Sequence, residues 1–533
     1  MNIKDFVRLG TRVLNIIFWM ILAYLAGDVG MGFYYISFIL IELLIVLFGS
    51  GLKHAVARMV AIRRSKGLHY NSRLVFRHGI LYSLVVGLLL GFVIWSFSGD
   101  IFRKLVGYTL PESVFGVMGV FFIIHMLRDC LQGYYQGKGN TLICIIAEIT
   151  QGILMVALCP FLVVRMYKYG MNISGLLKNE LYANIGGAIG AVMAQCIAGV
   201  ICILILVIGD RVAGTVDRNQ YNSVKGVDNG RNILLQFFKT SLLFVAEHIL
   251  PVLTIAYILI LYVRRASAGG VDTREVFSDV GVFSGKYLIV IGFFMAIFIE
   301  FVDRECKKIR QDAAREEHKN VRSRASYLLK NTMILLLPVT FTVILMPKAL
   351  CGIFFAGRMA EGAKILRLGG IALLLGGICY MCKAVFASID LKRYSILGGL
   401  VGFVGTVIPA GAMIGAEGGI ESLAVAFVIG LLIESAVMLV IFYRMLSFDL
   451  IDIGIRIGKI FVAGLVFAGM IAILDHFIVM NIIFLVITLV IAYAAYTVTL
   501  LVLKGVGIRD INSLKGSLVY YPLLFAGNIF LNR

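Results

Sequence analysis

Charge is scarce in this chain of 533 residues: 15% are Asp, Glu, Lys or Arg, while 60% are hydrophobic. The mean hydropathy is +0.96. A soluble domain carries about a quarter charged residues, so a globule bathed in water is excluded. Proline is rare, with 7 in the whole chain, which excludes proline-rich linkers and leaves long helices largely uninterrupted. There is no glycine loop ending in Lys-Ser/Thr to cradle phosphates, no His-Glu-x-x-His pair and no serine elbow. ATP hydrolysis, zinc proteolysis and serine-ester chemistry therefore have no motif to rest on, and an enzyme is not expected. The 9 cysteines lie mostly inside apolar stretches, where thiols behave as small hydrophobes. Cys379 and Cys382 form a Cys-x-x-Cys, but within an apolar span and with no second pair, so no metal site or cofactor is expected.

Apolar segments of about 20 residues recur from end to end, each long enough to cross the hydrocarbon layer as a helix. The expected fold class is an all-α polytopic membrane protein of about 14 transmembrane helices. The first two spans fall near 6–27 and 33–55, the fourth and fifth near 112–134 and 140–164, the seventh near 232–263 and the tenth near 362–388. The longest polar break, 210–231, separates two blocks of six helices. The expected organisation is an N-lobe over 1–209, a cytoplasmic linker over 210–231, a C-lobe over 232–446, and two extra helices with a tail over 447–533. Two equal blocks joined by a polar linker suggest a duplicated transporter built around a central cavity.

Bases outnumber acids by 49 to 30, a net charge of +19. The excess lies in short connections between spans, as in "KHAVARMVAIRRSKGLHYNSRLVFR", with seven Lys/Arg and no acid. Connections such as "DVGMG" and "AEGG" hold no base at all. This asymmetry points to anionic membrane lipid, not nucleic acid, and orients the chain with both termini in the cytoplasm.

Ionisable groups inside spans are functional candidates by default, because each costs at least about 2.5–3.5 kcal/mol to insert. Span one carries Arg8, Arg12, Asn15 and Trp19 at helical spacing; span two carries Tyr35, Glu42 and Gly49 a heptad apart, then Lys53 and Arg58. Span seven holds Lys239, Glu247 and His248, and span eight holds Lys286 and Glu300. The plainer reading is that Arg8, Lys53, Arg58 and Glu300 snorkel from helix ends and that His248 is a neutral hydrogen-bonded side chain. For the deeper Arg12, Glu42, Lys239, Glu247 and Lys286, a water-filled cavity competes with buried structural ion pairs. Glu148, Gln151, Lys383 and Glu434 are single polar groups for which structural pairing and function weigh equally. The candidate cavity set is therefore Arg12, Glu42, Lys53, Arg58, Lys239, Glu247, His248 and Lys286.

From span four into span five the chain reads "LRDCLQGYYQGKGNTLICIIAEI". That run resembles polysaccharide transporters of the stage V sporulation protein B type and their lipid II flippase relatives. These belong to the multidrug/oligosaccharidyl-lipid/polysaccharide (MOP) exporter superfamily. "TRVLNIIFWMILAYLAGDVGMGFYYISF", "GSGLKHAVARMVA" and the stretch from "LLLPVTFTVILMPKALCGIFFAG" onward resemble the same family in consistent order. The resemblance implies two six-helix lobes around a central cavity lined by helices one, two, seven and eight, and a cavity arginine at Arg12. It departs at Phe18, where lipid II flippases carry a second arginine. The implied activity is export of an undecaprenyl-pyrophosphate-linked saccharide across a bacterial cytoplasmic membrane, by a monomer, with coupling to protons or sodium left open. The alternatives are a cation-coupled multidrug exporter of the same superfamily and a membrane scaffold without transport.

Overall fold

In the computed structural model, described over residues 3–108, 110, 112–217, 228–415, 419–446, 450–475 and 482–506, helix dominates and no strand occurs among the described residues. The first nine helices are α1 (Ile3–Leu44), α2 (Gly51–Ser65), α3 (His69–Ser96), α4 (Ser98–Val106), α5 (Glu112–Gly137), α6 (Thr141–Leu177), α7 (Leu181–Asp217), α8 (Gly230–Ala268) and α9 (Thr273–Val282). Then come α10 (Ile289–Ala314), α11 (His318–Leu345), α12 (Pro347–Phe354), α13 (Met359–Gly369), α14 (Ala372–Ser388), α15 (Lys392–Met413), α16 (Glu421–Leu446), α17 (Leu450–Asp475) and α18 (Ile482–Val502). With no water in the bilayer core, helices that satisfy their own backbone groups are the natural solution for so apolar a chain.

Among the described residues, 12 helices are long and apolar enough to cross a membrane, or up to 13 if the bent pair α13 and α14 is one span. The hydropathy pattern leads one to expect about fourteen. The difference lies at the N-terminus, where spans one and two run on as one stretch, Val7–Ser65, of 59 residues. At about 1.5 Å per residue this is far longer than a bilayer is thick, and the helix is broken inside by Gly27, with φ 68° and ψ 178°. Only glycine adopts such a backbone without strain. The expected tenth span is likewise two helices, α13 and α14, bent by 50°. Among the described residues, π-helical turns interrupt the regular ladder at Ile45–Ser50 and Phe283–Leu288. Prolines sit inside α6, α8, α11 and α15, at Pro160, Pro251, Pro338 and Pro409, as membrane helices tolerate.

The chain forms two compact units. The N-terminal unit comprises Gly10–Gly285 with Gly415–Glu417; the C-terminal unit comprises Met1–Leu9, Lys286–Ile414 and Gly418–Arg533. The packing division therefore falls at Gly285/Lys286, two helices beyond the 210–231 linker where the sequence divides into blocks of equal helix count. The reason is local: α8 packs on α2, α3 and α4, with Phe237 buried in a core of Val56, Val75, Cys130 and Tyr134. Residues 218–227 of that linker and the C-terminal tail from 507 lie outside the described residues. Within the N-terminal unit α6 lies along α7, and α5 packs on α2, α3 and α7; within the C-terminal unit α15 pairs with α16, and α17 with α18 and α11.

Candidate functional site

The site is assembled on α5, whose closing run "LQGYYQG" explains itself physically. A Cβ at Gly133 would stand 2.6 Å from the Lys53 carbonyl oxygen, and one at Gly137 2.6 Å from that of Ala57. These two glycines, four apart on one face, let α2 approach α5 backbone to backbone, a small-xxx-small contact. The intervening tyrosines fix the other faces. Tyr134 stacks on Phe76 of α3 at 4.0 Å between ring centroids, and the Tyr135 hydroxyl donates to the Leu206 carbonyl of α7 at 2.8 Å.

This close approach carries Lys53 onto α5. Its ammonium donates to Gln132 Oε1 at 2.6 Å and stands 3.8 Å from Glu148 Oε1 of α6, both side chains being about 30% exposed. One turn back on α5, Arg128 is held from all sides. It donates to Asp129 Oδ1 at 3.0 Å, to Gln151 Oε1 of α6 at 3.3 Å and to His125 Nε2 at 2.6 Å. An arginine has no acceptor, so Nε2 of His125 receives that bond and carries no proton there. Asp129 is buried. Gly49, in the π-helical turn between Glu42 and Lys53, lies against the Asp129 carboxylate. Glu42 lies within electrostatic range of both Asp129 and Arg128, and Asp129 within range of Lys53. A π turn at such a point is a frequent mark of a functional site.

The structure thus brings together two of the eight candidates, Glu42 and Lys53, and adds His125, Arg128, Asp129, Gln132, Glu148 and Gln151. The signal for the additions is present in the sequence: three ionisable residues, His125, Arg128 and Asp129, within five positions of an apolar span. Three carboxylates here face two fixed cations. Among the described residues no group of three His, Cys, Asp or Glu side chains is gathered as a metal site.

Arg12 is half-buried near the N-terminus of α1, where Leu14 packs against Gly152 of α6. Arg58 and Lys239 are exposed, and Glu247 is half-buried. His248 is exposed; its Nδ1 pairs with the Phe244 carbonyl at 2.9 Å and its ring stacks on Phe244 at 4.0 Å. Phe244 stacks in turn on His54 of α2 at 4.8 Å. Lys286 belongs to the C-terminal unit, where it is fully buried with its alkyl chain against Gly362 of α13. Phe18 is completely buried in an aromatic cluster with Trp19 and Tyr34; that position serves packing.

No family model matches the sequence, and no curated protein matches it. Solved structures do match in fold. A lipid II flippase, MurJ, in an inward closed conformation aligns with TM-score 0.68 at 14% identity over 96% of this chain and 100% of its own. A multidrug resistance MATE family transporter of the MOP superfamily, in an inward-facing conformation, aligns with TM-score 0.60 at 14% identity over 83% of this chain and 98% of its own. A MOP superfamily transporter from Pyrococcus furiosus, described as having a binding pocket of reverse polarity, aligns with TM-score 0.57 at 16% identity over 83% and 94%. The chain is a multi-pass α-helical membrane protein with the fold of the MOP superfamily exporters.

Proposed function

We propose that this protein is a flippase for a lipid-linked saccharide, moving an undecaprenyl-pyrophosphate-linked glycan from the inner to the outer leaflet of a bacterial cytoplasmic membrane by alternating access. One observation carries the choice within the superfamily. Residues 1–446 make up only about five sixths of the chain, so a match over 96% of it has to run through most of residues 447–533. Matches over 83% need not. The fold shared with a lipid II flippase therefore takes in the C-terminal helices α17 and α18.

The physical problem of such a substrate is its pyrophosphate, because charge is costly to carry through hydrocarbon. Fixed cations offset that cost by charge-assisted hydrogen bonds. Arg12, Lys53, Arg58 and Lys239 supply cations along α1, α2 and α8 of the N-terminal unit, and Lys286 supplies one in the C-terminal unit. Glu42 and Glu247 balance them when no substrate is bound, or take up protons or sodium. On this reading both termini lie in the cytoplasm and the monomer is the working unit.

A second reading, a cation-coupled multidrug exporter, is favoured by the excess of carboxylates, Glu42, Asp129 and Glu148, over Lys53 and Arg128. A competition assay on the purified protein separates the two. The flippase reading expects a fluorescent polyprenyl-pyrophosphate saccharide to bind, and cationic drugs not to displace it. Drug binding without pyrophosphate binding supports the exporter instead.

A further inference from the structure

The two cations of the N-terminal cluster are held very differently. Arg128 spends its guanidinium on three neighbours, Asp129, Gln151 and His125, the shortest contact being 2.6 Å. An arriving anion would have to strip those bonds and leave a buried carboxylate, Asp129, without its partner, which is expensive. Lys53 has one good bond, to the neutral amide of Gln132. Its carboxylate partner Glu148 stands at 3.8 Å, beyond hydrogen-bond distance, and both side chains reach solvent. An ammonium offers three donors, and only one of them is firmly used here.

Taking the flippase reading as given, we propose that Lys53 is the exchangeable phosphate-binding cation of the N-terminal unit and that Glu148 is its built-in competitor, displaced when a pyrophosphate arrives. Gln132 holds the ammonium in place through the exchange, because a neutral amide neither repels the incoming anion nor needs to move away. Arg128 with Asp129 is the fixed floor of the site and a positioning group, since Gly49 of the π-helical turn lies against Asp129 and Glu42 is within electrostatic range of the pair. Such an arrangement favours release as well as capture. The empty site is charge-neutral at Lys53, and the returning Glu148 helps expel the product.

The test is binding of three probes to the full chain in detergent micelles: undecaprenyl pyrophosphate, inorganic pyrophosphate and uncharged undecaprenol. Removing the competitor by Glu148→Gln is expected to tighten undecaprenyl pyrophosphate binding by about threefold to tenfold, and Lys53→Met to weaken it by about tenfold, the range for hydrogen bonds to charged groups near a wet surface. In the double variant the gain from Glu148→Gln is expected to vanish, because it acts only through Lys53. Lys53→Arg is expected to keep the gain, which guards against a Lys53→Met variant that folds badly. Tighter binding of inorganic pyrophosphate in Glu148→Gln places the recognition on the phosphate, and tighter binding of undecaprenol would overturn it. If the unaltered protein binds undecaprenyl pyrophosphate but Glu148→Gln leaves its affinity unchanged or weaker, the exchange is wrong and the flippase reading stands. If the unaltered protein binds none of the three, both fall.

Discussion

Asp129→Asn is the sharpest structural perturbation of the site. Asp129 is 2% exposed and accepts from Arg128 at 3.0 Å, with His125 Nε2 3.4 Å from its other oxygen. Asparagine keeps the shape but removes the charge, leaving the Arg128 guanidinium, 16% exposed, without its counterion. Removing one partner of a buried pair costs about 3–5 kcal/mol. Partial exposure and the surviving bonds to Gln151 and His125 reduce this to about 2–3 kcal/mol. The comparison is Glu148→Gln, which breaks only the stretched pair with Lys53, both side chains being about 30% exposed, and leaves the Lys53–Gln132 hydrogen bond in place; such pairs are worth about 0–1 kcal/mol. In a thermal scan of the detergent-solubilised protein, Asp129→Asn is expected to lower the midpoint by several degrees and Glu148→Gln by at most about 2 °C. Equal losses, or a larger loss for Glu148→Gln, would refute the division of the cluster into a fixed and an exchangeable pair.

Arg12→Ala is expected to abolish transport at near-normal membrane abundance; an active variant would reduce Arg12 to a snorkelling residue. Lys239→Met is expected to weaken pyrophosphate-lipid binding by about tenfold or more, while Glu247→Gln mainly shifts pH or sodium dependence; the reverse ordering in the same binding and transport assays would favour a drug exporter. Single-cysteine labelling in intact cells is expected to place residues 60–72 and 306–320 in the cytoplasm and 268–274 outside, and external labelling of 306–320 would invert the topology. Gly133→Val pushes a branched side chain against the Lys53 carbonyl, which is backbone and cannot step aside; a loss of about 1–3 kcal/mol, read as a lowered thermal midpoint, is expected.

The spanning segments are legible in the sequence because hydropathy over about 20 residues reads the bilayer directly. Their joints are harder. The break at Gly27 falls next to "DVGMG", the short connection that separates the first two spans in the sequence, but the sequence does not show that the two helices meet at a single glycine with no loop between them. Nor does composition mark the π-helical turns, since the residues of "IVLFGS" and "FSGKYL" suit a regular helix equally well. In the site, Glu42 and Lys53 stand out as ionisable residues on an otherwise apolar face. Arg128, Asp129 and His125 are visible as three ionisable residues within five positions of an apolar span, but opposite charges cancel in a count of net charge, and their value rests on contacts with one another and with Gln151 of α6. The glycines of "GYYQG" belong to a recognisable motif, but their purpose, admitting α2 against α5, appears only with the packing partner in place. Lys286 shows the converse: span depth alone makes it a cavity candidate, whereas its position against Gly362 depends on a helix more than seventy residues further on.

The central claim is that the cargo is a pyrophosphate-linked lipid saccharide. It is tested most directly by reconstituting the purified protein into liposomes carrying a fluorescent undecaprenyl-pyrophosphate disaccharide in both leaflets and measuring its accessibility to an external quencher. Vesicles with the protein are expected to expose nearly all of the label, against about half in empty vesicles, and Arg12→Ala to return the value to that of empty vesicles. Protein-containing vesicles that leave half the label protected, while taking up a cationic dye under a proton or sodium gradient, would contradict the flippase account.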